Sequence, residues 1–128
     1  MFGEIETDEH GLNIKIQSHI LPEADMRRIG FTDYAKDRWY YSRLVQFPKE
    51  KRYKGFEISF DVTIPKDGSR LCIDVLDEDF CQPYDYQLML AKNPEFEPAL
   101  IVRDFVEKQM AYLQEQGVLS GHVKGEYI

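Results

Sequence analysis

The sequence predicts an α+β fold, an antiparallel sheet of about five strands covered by one long C-terminal helix. Three observations predict it. From Phe56 to Ile64, five large apolar residues alternate strictly with four polar or acidic ones, as in a strand with one core face and one wet face. From about residue 95 to 116, Val102, Phe105, Val106, Gln109, Met110 and Leu113 follow the spacing of one helix face, widened by Leu100, Ile101 and Tyr112. Strand patterns come first in runs and the long helix comes last, unlike the alternation of parallel βαβ units.

The remaining elements follow in chain order. Residues 2–20 read as a hairpin turning at Asp8-Glu9-His10-Gly11, with a weakly patterned first strand and a second that lines up Leu12, Ile14, Ile16, Ser18 and Ile20. Pro22 to Arg28 places acids early and bases late before Gly30, which suits one or two helical turns. Residues 38–47 are rich in aromatic and β-branched side chains. They form a strand with Trp39, Tyr41, Val45 and Phe47 on one side, interrupted by Arg43.

The alternating stretch from Phe56 is the first arm of a second hairpin, 56–76, which turns at Pro65-Lys66-Asp67-Gly68-Ser69. Its return arm carries Leu71, Ile73 and Val75 toward the same core. Residues 83–92 fit a short helix opened by Pro83 slightly better than another strand. Gly117 followed by Val118 stops the long helix, and the tail from Leu119 either docks or frays. Nothing divides the 128 residues, so 1–128 is expected to be one globular domain.

Composition narrows the function classes. No stretch approaches the roughly 18 consecutive apolar residues of a membrane span, and Met1-Phe2-Gly3-Glu4 lacks the basic start of a signal peptide. A soluble, cytoplasmic protein that does not use a membrane is the expectation. Cys72 and Cys81 are too few and too far apart for a disulfide framework or a C-x-x-C site. A formal charge of −7 speaks against nucleic-acid binding by the whole surface. The charge is unevenly spread, however. Between Arg27 and Lys54 nine bases face three acids, a surplus of six that leaves −13 for the remainder.

No motif identifies an activity. No glycine-rich phosphate loop occurs, and His10, His19 and His122 share no metal-ligand spacing, so neither cofactor nor metal is expected. Ser120-Gly121-His122 lacks the context of a nucleophile elbow.

Three surfaces remain as candidates. Trp39, Tyr41, Tyr84, Asp85 and Tyr86 would supply an aromatic contact face for another protein. Lys49, Lys51, Arg52 and Lys54, with the aromatic residues interleaved over 36–54, could contact nucleic acid. The carboxylates Asp74, Asp77, Glu78, Asp79 and Asp85 could serve a hydrolase. The preferred expectation is a non-enzymatic domain that binds another protein. Homodimerisation through the first strand or the Trp39 strand is compatible with any of the three.

Overall fold

The computed structural model describes residues 16–48, 57–68, 71–77 and 82–122. The architecture is α+β. A four-stranded antiparallel sheet carries β2 (Arg38–Leu44), β3 (Ile58–Pro65), β4 (Cys72–Asp77) and β5 (Gln82–Pro83) in that spatial order. A separate two-stranded pairing joins β1 (Gln17–Ser18) to β6 (Leu119–Ser120). Three helices complete the described chain: α1 (Glu23–Ile29), α2 (Tyr86–Lys92) and α3 (Glu97–Glu115).

The second predicted hairpin is present, with Phe60 opposite Val75 and Val62 opposite Ile73. Residues directly opposite each other share a sheet face. The apolar sets of β3 and β4 therefore form one surface, which Trp39, Tyr41 and Val45 extend onto β2. Val102, Val106, Met110 and Leu113 of α3 and Met26 and Ile29 of α1 belong to the same buried core. Ile16, Val118 and Leu119 join it from the small pairing, so β6 docks the first part of the tail, while residues 123–128 lie outside the described residues.

The sequence expectation is corrected at two places. Of the strand expected after Gly11, the described part begins at Ile16, and its Gln17 and Ser18 pair with β6 rather than with the four-stranded sheet. The first arm of that hairpin lies outside the described residues. The polar face of the 56–64 stretch is also not wet throughout, since Glu57 is exposed and Thr63 half-buried but Ser59 and Asp61 are only 1 and 5% exposed. Register explains how this is tolerated. Asp61 sits opposite Ser42, whose hydroxyl donates to its Oδ1, while Ser59 Oγ donates to its Oδ2 at 2.9 Å. A buried carboxylate supplied with such donors avoids much of the desolvation penalty.

Local chemistry sets the helix ends. Gly30 closes α1 at φ 124°, and its N–H reaches the carbonyls of Met26 and Arg27. Pro83 does not open the helix expected over 83–92: it ends β5 opposite Leu76, and α2 begins only at Tyr86, where Asp85 caps it by accepting from Leu88 N at 3.1 Å. After α3, Gly117 at φ 84° lets Val118 N donate to Leu113 O at 3.1 Å, the six-to-one bond of a Schellman ending. That reversal sends β6 back alongside the helix.

A groove along α3 with a buried carboxylate and imidazole

Four of the five residues expected to form an exposed aromatic face are interior. Trp39, Tyr41, Tyr84 and Tyr86 are only 4, 2, 3 and 1% exposed, and Asp85 is engaged as the α2 cap. Their rings bind the fold together instead. Tyr41 Oη donates to Gln109 Oε1 at 2.6 Å and so ties the sheet to α3. Trp39 lies between the Arg27 guanidinium at 5.4 Å and Lys66 Nζ at 4.7 Å, and Asp33 bridges those two cations at 2.8 and 3.0 Å. This cage holds two bases on an aromatic face and a carboxylate at once.

Lys49, Lys51, Arg52 and Lys54 lie outside the described residues. Of the other bases in that run, Arg27 pairs with Glu23 and Asp33, Arg28 with Asp25, and Arg38 with Asp37. The compensation comes from adjacent acids rather than from the C-terminal half. Arg43 stacks on the Tyr41 ring at 4.2 Å, and its Nη1 donates to Ser42 O at 2.8 Å. Along the outer edge of β2, Tyr40 exchanges both backbone bonds with Thr32 at 2.8 Å, and Leu44 O accepts from Gln46 Nε2 at 3.4 Å. Much of the Trp39 strand's edge is thereby used within the chain.

The described carboxylates considered for hydrolysis, Asp74, Asp77 and Asp85, form no group of three that could hold a metal ion. Asp74 accepts from Cys72 Sγ at 3.2 Å, Asp85 caps a helix, and Glu78 and Asp79 lie outside the described residues. Cys81 and His10 also lie outside them, while His19 Nε2 meets Ser120 Oγ at 2.8 Å on the surface. Among the described residues, no three His, Cys, Asp or Glu side chains are placed to hold a metal ion.

What the structure does assemble is a groove of about 450 Å3 on the flank of α3, lined by Asp104, Glu107, Lys108, Ala111, Gln114 and His122. Four of the helical positions recur every three or four residues, so they share a side of the helix. His122 arrives from the other direction, two residues after β6, and its backbone N–H donates to Gln114 Oε1 at 2.8 Å. Its ring Nε2 meets Glu107 Oε2 at 3.1 Å, with the imidazole and carboxylate side chains only 3 and 9% exposed. Glu107 Oε1, also buried, has no hydrogen-bond partner among the described residues.

Tyr86 approaches the same carboxylate from α2. Burial, followed by the charge of Glu107, holds its phenol well above the usual range, and its hydroxyl is likewise without a partner among the described residues. The groove is therefore backed by a buried carboxylate with one oxygen bonded to His122 and the other unpartnered among the described residues. None of these roles was visible in the sequence, where Glu107 and His122 are 15 residues apart and belong to no motif.

Fold and groove together define a small α+β domain with a four-stranded antiparallel sheet, backed by a long C-terminal helix whose flank carries a buried carboxylate–imidazole pair. No protein-family model and no curated protein matches the chain. Its structure is similar to the crystal structure of a DUF1831 family protein from Lactobacillus plantarum, with a TM-score of 0.59 at 13% sequence identity, covering 94% of this chain and 97% of that one. At that identity the likeness concerns the fold. Among the described residues, no helix is long and apolar enough to cross a membrane.

Proposed function

We propose that the chain is a small non-enzymatic module that binds another protein, and that the groove along α3 receives that partner. The observation that carries the reading is a groove of about 450 Å3 on the flank of α3, in whose lining the Glu107 carboxylate and the His122 imidazole meet at 3.1 Å. A concave surface that presents fixed polar groups lets a partner's side chain bury area and form hydrogen bonds together. The surroundings are pre-organised. Asp104, Lys108, Ala111 and Gln114 are fixed by a 19-residue helix, and Val118 and Leu119, which lead to His122, are anchored in the core. Rigid polar groups presented in this way lose little entropy on binding.

The test is co-purification from the native organism with three proteins: the wild type, Ala111→Arg, which fills the groove, and Leu44→Arg, which alters an exposed position on the far face of the sheet. The expected result is a protein partner that survives a high-salt wash with the wild type and Leu44→Arg and is lost with Ala111→Arg. Equal recovery with Ala111→Arg, or recovery of the chain alone in every case, would overturn the reading.

A further inference from the structure

The groove spends its acceptors within the chain and leaves donors open. Gln114 Oε1 accepts from His122 N at 2.8 Å, Glu107 Oε2 meets His122 Nε2 at 3.1 Å, and Asp104 Oδ1 accepts from Arg103 Nε and Nη2 at 3.3 Å. Glu107 Oε1 is buried out of reach. Lys108, by contrast, is exposed, and its ammonium enters no hydrogen bond or ion pair among the described residues. The Gln114 amide is oriented by its own bond, because an oxygen turned to His122 N leaves the two N–H donors of Nε2 for another group. Helix geometry brings these donors together. Ala111 lies three residues after Lys108 and three before Gln114, so both side chains neighbour its exposed methyl, which leaves room above the helix. A group seated there meets an ammonium on one side and an amide on the other, and an anionic acceptor satisfies both best.

We propose that the groove takes an acidic side chain of the partner protein, its carboxylate seated over Ala111 between Lys108 Nζ and Gln114 Nε2. The inference rests on the reading of the groove as the protein-binding site and adds the chemistry of the group bound there. Charge complementarity carries it. The carboxylates of the lining are each engaged by a donor of this chain, and Lys108 is the cation that is left for a partner.

Binding is followed through the backbone amide shifts of Ala111 and Gln114 by NMR, using as the probe a short alanine peptide with a central glutamate and both ends blocked. Comparisons are the same peptide with glutamine or lysine at the centre, and the glutamine peptide with a free C-terminal carboxylate. Saturable shifts are expected with the glutamate peptide, with affinity falling about tenfold for the glutamine peptide and in Lys108→Met, since charged hydrogen bonds are lost in each. Two further variants give readouts that altered packing would not. Lys108→Glu, at an exposed position, is expected to reverse the preference, so that the lysine peptide binds best. Gln114→Glu keeps an oxygen for His122 N but replaces the amide donors with an acceptor, so it is expected to reject the glutamate peptide while the amides of β3 and β4 stay in place.

No saturable shift, equal binding of the glutamate and glutamine peptides, undiminished affinity in Lys108→Met, or an unreversed preference in Lys108→Glu would overturn the assignment. Tighter binding of the peptide with the free terminus would overturn the assignment to a side chain in favour of a C-terminal carboxylate. If the co-purified partner is lost with Ala111→Arg but retained with Lys108→Glu and Gln114→Glu, the protein-binding reading stands and the acidic assignment alone fails.

Discussion

Replacing Gly30 with alanine tests the junction on which α1, the sheet and Arg43 converge. Gly30 has φ 124° and ψ 7°, a conformation that residues with a Cβ avoid, and forcing it costs about 1–3 kcal/mol. The added methyl would collide with Arg43 Nη2 and sit 3.2 Å from Tyr41 Cε2. Arg43 would have to leave the Tyr41 ring, losing a cation–π contact of about 0.5–1 kcal/mol. It would also give up its bond to Ser42 O, worth about 1 kcal/mol net. Stiffening of the unfolded chain returns about 0.4–1 kcal/mol. The net is a loss of about 3 kcal/mol, which for a chain of 128 residues lowers the melting temperature by about 10 °C. Thermal and urea unfolding by circular dichroism would measure it. In an Arg43→Ala background the collision is gone, so the same substitution should cost about 1.5–2 kcal/mol less. A Gly30→Ala protein within about 0.5 kcal/mol of wild type would refute both the strain and the collision.

Three further outcomes are expected. Hydrogen bonds from Lys66 and Arg27 hold the Asp33 carboxyl below its ordinary value of 3.8, so the folded state binds fewer protons there than the unfolded chain. Its contribution is present above about pH 4 and lost as pH falls below that, and urea midpoints across this range should fall less steeply in Asp33→Asn. At the other extreme, burial and then Asp77 push the Tyr84 phenol up to about 12. The unfolded chain releases this proton first, so stability falls as pH rises beyond about 10, and ultraviolet difference titration should show Tyr84→Phe resisting alkali better than wild type. Leu113→Ala, at a fully buried position, should cost about 2–5 kcal/mol in denaturant unfolding, whereas Leu88→Ala on the exposed side of α2 should stay within about 0.5 kcal/mol.

Hydrophobic periodicity made most of the fold legible. The 56–76 hairpin, the long helix, its glycine stop and the preference for helix over strand at 86–92 all follow from spacing, capping and turn chemistry, which are properties of neighbouring residues. Coverage of a face is not such a property. Alternation in β3 separates apolar from polar side chains, but short groups such as Ser59 and Asp61 can satisfy one another and Ser42, and then be buried as well. The expected aromatic face failed for a related reason. Period two already aligned Trp39 and Tyr41 with Val45, which is a core position, so the pattern itself argued that those rings point inward. Tyrosine's amphipathic character suggested an interface, although here it serves to place a hydroxyl on Gln109 from within the core.

The groove required information that no local pattern holds. Glu107 directly follows Val106 and lies three residues before Met110, both in the core, so it sits on the border of the apolar stripe of α3. A carboxylate at such a border either turns to solvent or meets a partner, and the sequence alone does not choose between them. The choice is made by the chain reversal at Gly117. Left-handed backbone there returns the chain along the helix, Val118 and Leu119 anchor it in the core, and His122 is delivered to Glu107 from the opposite direction. One oxygen of the carboxylate is thereby bonded to the imidazole, and the other is buried without a partner among the described residues. The same reversal that closes the fold thus also builds one wall of the groove, so a variant that loosens β6 should disturb the groove before it unfolds the sheet. Leu119→Ala provides that separation. It removes a nearly fully buried anchor between Gly117 and His122, and is expected to broaden or shift the His122 and Gln114 amides while the amides of β3 and β4 stay in place. Simultaneous loss of all four sets of signals would show that the reversal and the sheet form one cooperative unit, and that the groove cannot be tuned independently of the fold.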